Sequence, residues 1–370
     1  MYLDYASTTP LKKEVKDYII DLLDVYQNPS SAYQSGSDVK HLIQKARNNV
    51  AKFINADAED IVFTSSGSAS NTLMITGYQD DYTLYYSPTM HKSALKTIES
   101  LHDRMCIKLK VNEVGMIDFE YLEQWLKFNP VKPFVVMEYA NSEIGTVQLV
   151  EELINLVHEH NGIICLDCTG SIPYIQLDVK KLNPDVVTFS AHKLGALKGC
   201  GVLYYNRKKL GKLKPLIYGS QENGLFGGTE NVLGICALGK AVENYNYSSI
   251  SDRNREYVLN YILKNISKSY LIGSHSSRLP NNLYMCFKGI SGESLMMLLD
   301  VNGIQVSTGS ACNEKSIEQS STLLAIGLPK EDLNSCIRMT FSGNETIEQL
   351  DYLCGKLKQN IEMLRELNEK

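Results

Sequence analysis

Asp185-Val186-Val187-Thr188-Phe189-Ser190-Ala191-His192-Lys193 is the stretch that decides the fold. Its apolar half is typical of a buried strand, and the glycine-punctuated segment 194–199 that follows indicates the end of that strand. Lys193 therefore lies at a strand end, after a serine and a histidine, beside flexible backbone. An amine in this place can form an imine with an aldehyde. The stretch predicts a covalent attachment point at the edge of a sheet.

Two further segments of the sequence indicate which aldehyde Lys193 would bind. The apolar run 162–166 ends in Asp167, and a carboxylate there can pair with a pyridinium nitrogen. Segment 64–71, which includes Gly67 and Ser68, follows a strand and opens a helix. Its backbone N–H groups and hydroxyls suit a phosphate, although a plain helix cap explains the same pattern. A lysine, an acidic partner and a phosphate site together predict pyridoxal phosphate.

The composition excludes several classes of protein. The chain has 370 residues, 44% of them hydrophobic, which is enough for a sizeable core. Its net charge of -5 carries no long run of one sign, which argues against nucleic acid or an anionic membrane as a partner. No apolar stretch is long enough to span a bilayer, and no export leader follows Met1. The nine scattered cysteines indicate a reducing cytoplasm rather than a disulfide scaffold.

No metal site is expected. Cys165 and Cys168 have C-x-x-C spacing, but they flank Asp167 at a strand end instead of opening a helix. That placement disfavours a redox or metal role. His158 and His160 are two residues apart on a predicted helix and so point to different faces.

Strand and helix patterns alternate through the first two thirds of the chain, which predicts an α/β fold with a mostly parallel sheet covered on both faces. Ligands on such sheets bind at the carboxyl ends of the strands. We expect a large cofactor-binding domain over 15–250 and a smaller α/β domain formed by 1–14 and 251–370. The boundary is predicted within one long helix, 232–263. A strand is also predicted at 304–307.

The motifs resemble those of group I cysteine desulfurases, in the class V aminotransferase family of fold-type I pyridoxal phosphate enzymes. The matching segments occur in the family's order over nearly the whole chain: 2–10, 28–31, 64–71, 87–95, 141–148, 167–171, 190–193, 219–231, 306–312 and 335–340. The resemblance implies that family's fold, its cofactor and a homodimer with shared active sites.

The resemblance also implies a role for each matched residue. Lys193 carries the cofactor, His91 stacks on its ring and moves protons, and Cys312 is the nucleophile on a mobile Gly/Ser loop. The other implied cofactor contacts are Asp167, Gly67, Ser68, Ser190, His192, Ser142 and, from the neighbouring subunit, Thr229. The implied substrate contacts are Arg338, which clamps the α-carboxylate, with Asn28 and Asn141.

Five positions depart from the family pattern, and they cluster around the cofactor and the rim of its pocket: Ala69, Ser142, Gly170, Asn223 and Phe226. Ser142 and Gly170 replace an Asn and a Gln that contact the phenolic oxygen of the cofactor. The implied reaction converts L-cysteine to L-alanine through a persulfide on Cys312, with an acceptor protein for iron–sulfur assembly or tRNA chemistry collecting the sulfur. Two alternatives stay open: another pyridoxal phosphate enzyme, such as a selenocysteine lyase or C–S lyase, and a weakly active or inactive homologue that serves as a partner-binding scaffold.

Overall fold

The computed structural model describes residues 1–78, 81–248, 250–308 and 319–368. The strands are β1 (Ile61–Thr64), β2 (Thr83–Tyr86), β3 (Cys106–Lys108), β4 (Pro133–Glu138), β5 (Ile163–Asp167), β6 (Val186–Ser190), β7 (Gly201–Tyr205), β8 (Ser269–Leu271), β9 (Asn282–Phe287) and β10 (Cys336–Thr340). The helices are α1 (Lys13–Asp21), α2 (Gln34–Phe53), α3 (Gly67–Thr76), α4 (Lys92–Glu99), α5 (Phe119–Phe128), α6 (Val150–Glu159), α7 (Val179–Leu182), α8 (Arg207–Leu210), α9 (Val232–Val242), α10 (Arg253–Asn265), α11 (Gly292–Val301), α12 (Ser321–Ala325) and α13 (Ile347–Asn368).

The larger sheet of the described chain has seven strands in the order β1-β7-β6-β5-β4-β2-β3. Only β7 runs against the others, since it pairs antiparallel with both β1 and β6. The predicted α/β fold with a mostly parallel sheet is therefore confirmed. The parallel strands β2, β4, β5 and β6 end at the same edge, which brings Asp167 and the stretch leading to Lys193 together.

The central strands are apolar throughout because both of their faces are covered. On β4 and β5, Val135 and Leu166 pack into one hydrophobic layer, whereas Val136 and Cys165 pack into the layer on the opposite face. Side chains alternate between the two faces of a strand, so a strand buried on both sides reads as a continuous apolar run. This is why the runs in the sequence located these strands.

The second sheet is antiparallel, in the order β10-β9-β8. A separate hydrophobic cluster covers it, formed with residues of α10, α11 and α13 and including Leu3 from the start of the chain. Two local predictions were wrong. The long helix expected over 232–263 is two helices, α9 and α10, and residues 304–307 form only the isolated bridges Tyr2–Gln305 and Ser307–Arg338. Across the described ranges, no helix is long and apolar enough to cross a membrane.

Candidate active site

A cavity of about 780 Å³ opens at the carboxyl edge of the larger sheet. Most of the predicted site residues line it: Gly67, Ser68, His91, Asn141, Ser142, Asp167, Ser190, His192, Lys193 and Arg338. Asn28 and Thr229 are exposed and do not line this cavity of the described chain. Cys312 lies outside the described residues.

Lys193 lies at the end of the single turn 191–193 that follows β6. Its Nζ donates hydrogen bonds to the carbonyl oxygens of Ala6 and Ser7, the latter at 2.6 Å. Burial and, less strongly, the Arg338 guanidinium lower the pKa of Lys193 to about 8. A fraction of the side chain is therefore free amine near neutral pH, and only the free amine can attack an aldehyde.

Asp167 ends β5 and is 6% exposed. One carboxylate oxygen accepts from Asn71 Nδ2 at 2.7 Å and the other from the Thr169 N–H at 2.9 Å. Asn71 is itself oriented by Thr188, whose hydroxyl donates to Asn71 Oδ1 at 2.5 Å. These donors fix the direction of the carboxylate, which a partner of a pyridinium nitrogen requires.

Helix α3 begins at the cavity, and its first N–H groups cannot bond within the helix. Ser66 caps it by accepting from the Ala69 N–H at 3.1 Å. A Cβ built on Gly67 would lie 3.1 Å from Ser190 Cβ, so glycine lets the helix start approach the end of β6 closely. The helix dipole and these N–H groups form a cradle for an anion.

His192 completes the wall beside Lys193, and its Nδ1 lies 3.1 Å from Thr8 Oγ1. Burial, followed by the charges of Lys193 and Lys198, lowers the pKa of His192 to about 4. The imidazole is neutral at physiological pH and can donate one N–H to an oxygen ligand.

His91 caps helix α4 at the mouth of the cavity. Its Nδ1 accepts the Ser93 N–H at 3.1 Å, which places the hydrogen of the neutral ring on Nε2. The ring is exposed, so it can exchange protons with solvent and with a bound molecule. This geometry suits the proton-transfer role predicted for it.

Arg338 extends from β10 into the cavity and is 8% exposed. Its Nη2 donates to Asp4 Oδ1 at 2.8 Å and its Nη1 to the Ser142 carbonyl at 3.2 Å. Its buried Nε has no hydrogen-bond partner among the described residues. A guanidinium with spare donors can still bind a carboxylate.

Sequence reasoning missed three acidic residues that line the cavity, Asp4, Glu138 and Glu143. Glu138 ends β4 directly beside Asp167 of β5 and is 5% exposed. Thr89 donates to its Oε1, while its Oε2 is buried with no partner among the described residues. Burial raises the pKa of Glu138, the carboxyl beside Asp167. In the sequence, Glu138 is simply the last residue of an apolar run. The one signal that could have marked it as a site residue is its position at the end of β4, which corresponds to that of Asp167 at the end of β5.

Two of the departures from the family pattern face each other. A Cβ on Gly170 would lie 2.9 Å from the Ala140 carbonyl and 3.2 Å from Ser142 Cβ. Segment 140–142 therefore occupies the space that a side chain at position 170 would need.

The other rim departures, Asn223 and Phe226, lie on segment 219–231. Glu222 anchors this segment, because its carboxylate accepts from both terminal nitrogens of Arg47, at 2.6 and 2.8 Å. Glu222 also accepts from the Phe63 N–H at 2.8 Å, which ties the segment to β1.

The residues on either side of the predicted cysteine loop are fixed at the cavity. Ser307 and Arg338 exchange backbone hydrogen bonds of 3.1 and 2.6 Å, and Tyr284 donates its hydroxyl to the Thr308 carbonyl at 3.0 Å. On the far side, Ser320 and Thr322 also line the cavity. Both ends of the segment that carries Cys312 thus emerge at the same cavity.

The residues present fit pyridoxal phosphate. The cradle at Gly67 suits the phosphate, the partly deprotonated Lys193 suits the aldehyde carbon, and the hydrogen-bonded Asp167 suits the ring nitrogen. The guanidinium of Arg338, which lines the same cavity, suits a carboxylate. These groups surround one cavity, so a single bound cofactor can reach all of them.

Comparison with known proteins gives full-length matches. The sequence model of the family described as Aminotransferase class-V matches residues 1–353. "Cysteine desulfurase IscS" of Dictyoglomus turgidum is 36% identical over 384 residues, which cover 100% of this chain and 96% of the relative. A NifS-like protein from Rickettsia africae has a similar solved structure, with a TM-score of 0.88, 27% identity and 98% and 99% of the two chains covered. A structure described as SspA in complex with cysteine gives a TM-score of 0.81 at 29% identity, with 93% and 99% covered.

Proposed function

This chain belongs to the class-V aminotransferase family, and on that premise we propose that it is a pyridoxal phosphate-dependent cysteine desulfurase. It converts L-cysteine to L-alanine and transfers the sulfur first to a cysteine of its own. The relative from Dictyoglomus turgidum, which matches this chain over its full length, is named a cysteine desulfurase. The similar SspA structure is described as a complex with cysteine.

One observation carries the proposal. The cavity brings Lys193, Asp167 and Arg338 together with both ends of the segment that holds Cys312. An amine for the cofactor, a partner for its ring, a clamp for an amino acid and a nearby thiol are the four requirements of cysteine desulfuration. Asp167 and Lys193 lie at strand ends of the larger sheet and Arg338 comes from the smaller sheet, so the arrangement depends on the fold of the chain rather than on one motif.

Pyridoxal phosphate, when bound, supplies an electron sink that lets the Cα–H bond of an amino acid break. The chain supplies the proton carriers. Lys193 Nζ, with a pKa near 8, can accept a proton once it is released from the cofactor, and His91 Nε2 can exchange one with solvent. Asp167 is held in place by the hydrogen bonds that it accepts from Asn71 and the Thr169 N–H.

Arg338 orients the substrate. Its guanidinium lines the cavity, and its Nη2 is held by Asp4. A carboxylate bound there fixes one end of the amino acid, so that the α-amino group points towards Lys193 and the side chain towards the cysteine loop.

Cys312 is the sulfur acceptor in this proposal. It follows Thr308 by four residues, a reach of about 14 Å at full extension. Its thiolate attacks the substrate Sγ, and the S–S bond forms as the C–S bond breaks. The carbon fragment takes up a proton and leaves as L-alanine, and Cys312 keeps the sulfur as a persulfide.

We further propose a cytoplasmic homodimer that passes sulfur to an acceptor protein. In the family pattern Thr229 reaches the phosphate of the neighbouring subunit, and its exposed position outside the cavity of its own chain supports that role. Tyr26 and Tyr218 are 87% and 78% exposed, as expected of apolar surface that a second subunit covers. All the described cysteines are unpaired, which supports a reducing compartment.

The test is alanine formation from L-cysteine by cofactor-loaded protein in the presence of a thiol reductant. The wild-type chain should form alanine and sulfide in equal amounts, and Lys193→Ala should form neither. Lys198→Ala is the matched control, because Lys198 is a second lysine lining the cavity and the proposed reaction gives it no role beyond the effect of its charge on the pKa of His192. Borohydride should fix the cofactor to Lys193 in this control as in the wild type.

Two results would count against the proposal. Alanine formation that survives Cys312→Ala would favour a selenocysteine lyase or C–S lyase. A cofactor-loaded wild-type protein that produces no alanine would favour the partner-binding scaffold.

A further inference from the structure

Cys286 and Cys336 are separated by fifty positions in the sequence but lie directly opposite each other on β9 and β10. The next pair along, Phe287 and Ser335, is joined by a 2.8 Å hydrogen bond from N–H to carbonyl oxygen. Since the two kinds of pair alternate in an antiparallel ladder, Cys286 and Cys336 occupy a non-hydrogen-bonded pair. Cα atoms in such pairs are about 4.5 Å apart.

That spacing lies within the range that a disulfide spans, roughly 4.4–6.8 Å between Cα atoms. Side chains of directly opposed residues also leave the sheet on the same face, so the two thiols point the same way. By contrast, Cys165 and Cys168 follow one another along a single strand end and its turn, with no opposed strand to align them.

The two thiols interact with each other and lie just beneath the surface. Cys286 is fully buried and Cys336 is 2% exposed, and the Cys336 Sγ lies 3.2 Å from the Asp332 carbonyl oxygen. They are covered on one side by Tyr270 of the edge strand β8, whose hydroxyl donates to Asp332 at 2.7 Å, and by the half-exposed Lys288.

The hydrogen bond from Cys336, supported by the charge of Lys288, lowers the pKa of Cys286 despite its burial. A thiolate is the reactive form of cysteine, so Cys286 is the attacking sulfur of the pair. The groups that oppose this effect are the buried surroundings and the carboxylate of Asp332.

We propose that Cys286 and Cys336 form a reversible cross-strand disulfide when the folded protein meets hydrogen peroxide. The Cys286 thiolate attacks a peroxide oxygen, the O–O bond breaks, and a sulfenic acid and hydroxide form. The Cys336 sulfur then attacks the Cys286 sulfur and displaces water. In sum, two thiols and one peroxide give one disulfide and two waters. A small-molecule thiol reverses the reaction by exchange.

The disulfide would lie next to the substrate clamp. Arg338 and Tyr284 are the opposed pair two residues further along the same strands, so they are on the same face of the sheet as the cysteines. Tyr284 holds the Thr308 carbonyl at the start of the cysteine loop. A covalent link between β9 and β10 therefore restrains the strands that position both groups.

The experiment is oxidation of the folded, cofactor-loaded protein with a slight excess of hydrogen peroxide, followed by alkylation of free thiols and non-reducing peptide mapping. We expect one linked peptide joining Cys286 to Cys336, formed in most molecules, lost on treatment with dithiothreitol and absent from Cys286→Ser and Cys336→Ser. Both variants should retain the circular dichroism spectrum of the wild type. This readout does not involve turnover, so it stands apart from the desulfurase proposal.

The buried pair Cys165 and Cys168 is the internal control and should stay unlinked. The proposal is overturned if the 286–336 peptide does not form, if it forms only after the protein has been unfolded, or if oxidation links Cys165 to Cys168 instead.

Discussion

Asp4→Asn is the substitution that best probes how the substrate clamp is held. Asp4 and Arg338 are 2.8 Å apart, and their side chains are 21% and 10% exposed. A hydrogen bond to a charged group contributes about 1.5–3 kcal/mol, and the partial exposure of Asp4 favours the lower end. The amide of the new Asn keeps an oxygen that can accept a hydrogen bond. It lacks the negative charge that balances the Arg338 guanidinium.

The substitution should have opposite effects on stability and on binding. Loss of about 1.5 kcal/mol lowers the thermal unfolding midpoint by a few degrees. Arg338 is then left without its counter-ion, so a substrate carboxylate can take its place. We expect the affinity for L-alanine, the unreactive product, to rise by up to about tenfold, since each 1.4 kcal/mol is one order of magnitude. Asp4 also raises the pKa of Lys193, so this pKa, now about 8, should fall further.

The assay is titration with L-alanine, followed by the absorbance of the bound cofactor and paired with thermal unfolding. Asp60→Asn is the matched control, because Asp60 forms a 2.9 Å ion pair with Arg207 far from the cavity. It should change stability without changing affinity. The reasoning is refuted if Asp4→Asn weakens L-alanine binding as strongly as Arg338→Ala does, because Asp4 would then contact the substrate itself.

Three further substitutions test the cavity walls. Glu138→Gln should preserve activity and flatten the pH dependence of stability. Burial raises the pKa of Glu138 in the fold above its value in the unfolded chain, about 4.3, so the contribution of this group to stability is lost as the pH rises from that value towards the folded pKa. An unchanged pH profile of unfolding would contradict the raised pKa. Ser142→Asn should tighten retention of the cofactor during dialysis by restoring a hydrogen bond to its phenolic oxygen. Gly170→Gln should weaken it, because the new Cβ would lie 2.9 Å from the Ala140 carbonyl; tighter retention in Gly170→Gln would show that segment 140–142 moves aside.

The parallel sheet and most of its site could be predicted because both depend on local patterns. Apolar runs marked β4, β5 and β6, and the residues just after them include Asp167 and Lys193. The long helix was predicted wrongly because Tyr245 and Tyr247 continue the apolar periodicity beyond α9. In the fold both rings pack against Phe53 instead, with centroids 5.3 and 6.0 Å from it.

The groups that sequence reasoning missed depend on contacts between distant positions. Asp4 and Arg338 are 334 residues apart, and nothing local marks them as a pair. The opposition of Cys286 and Cys336 follows from the register of β9 and β10, which the C-x-x-C spacing elsewhere in the chain could not indicate. Residues 304–307 had a strand pattern, yet they form only single-residue bridges with two different partners, Tyr2 and Arg338, which lie far away in the sequence.

The most direct test of cysteine desulfuration is the mass of the peptide that contains Cys312. Cofactor-loaded protein is incubated with L-cysteine, free thiols are alkylated, and the digest is examined without reduction. We expect one additional sulfur atom on Cys312, accompanied by L-alanine in solution. Cys312→Ser should retain the cofactor and bind L-alanine, but form neither the persulfide nor more than a trace of alanine. Additional sulfur on another cysteine, or normal alanine production by Cys312→Ser, would contradict the role proposed for this thiol.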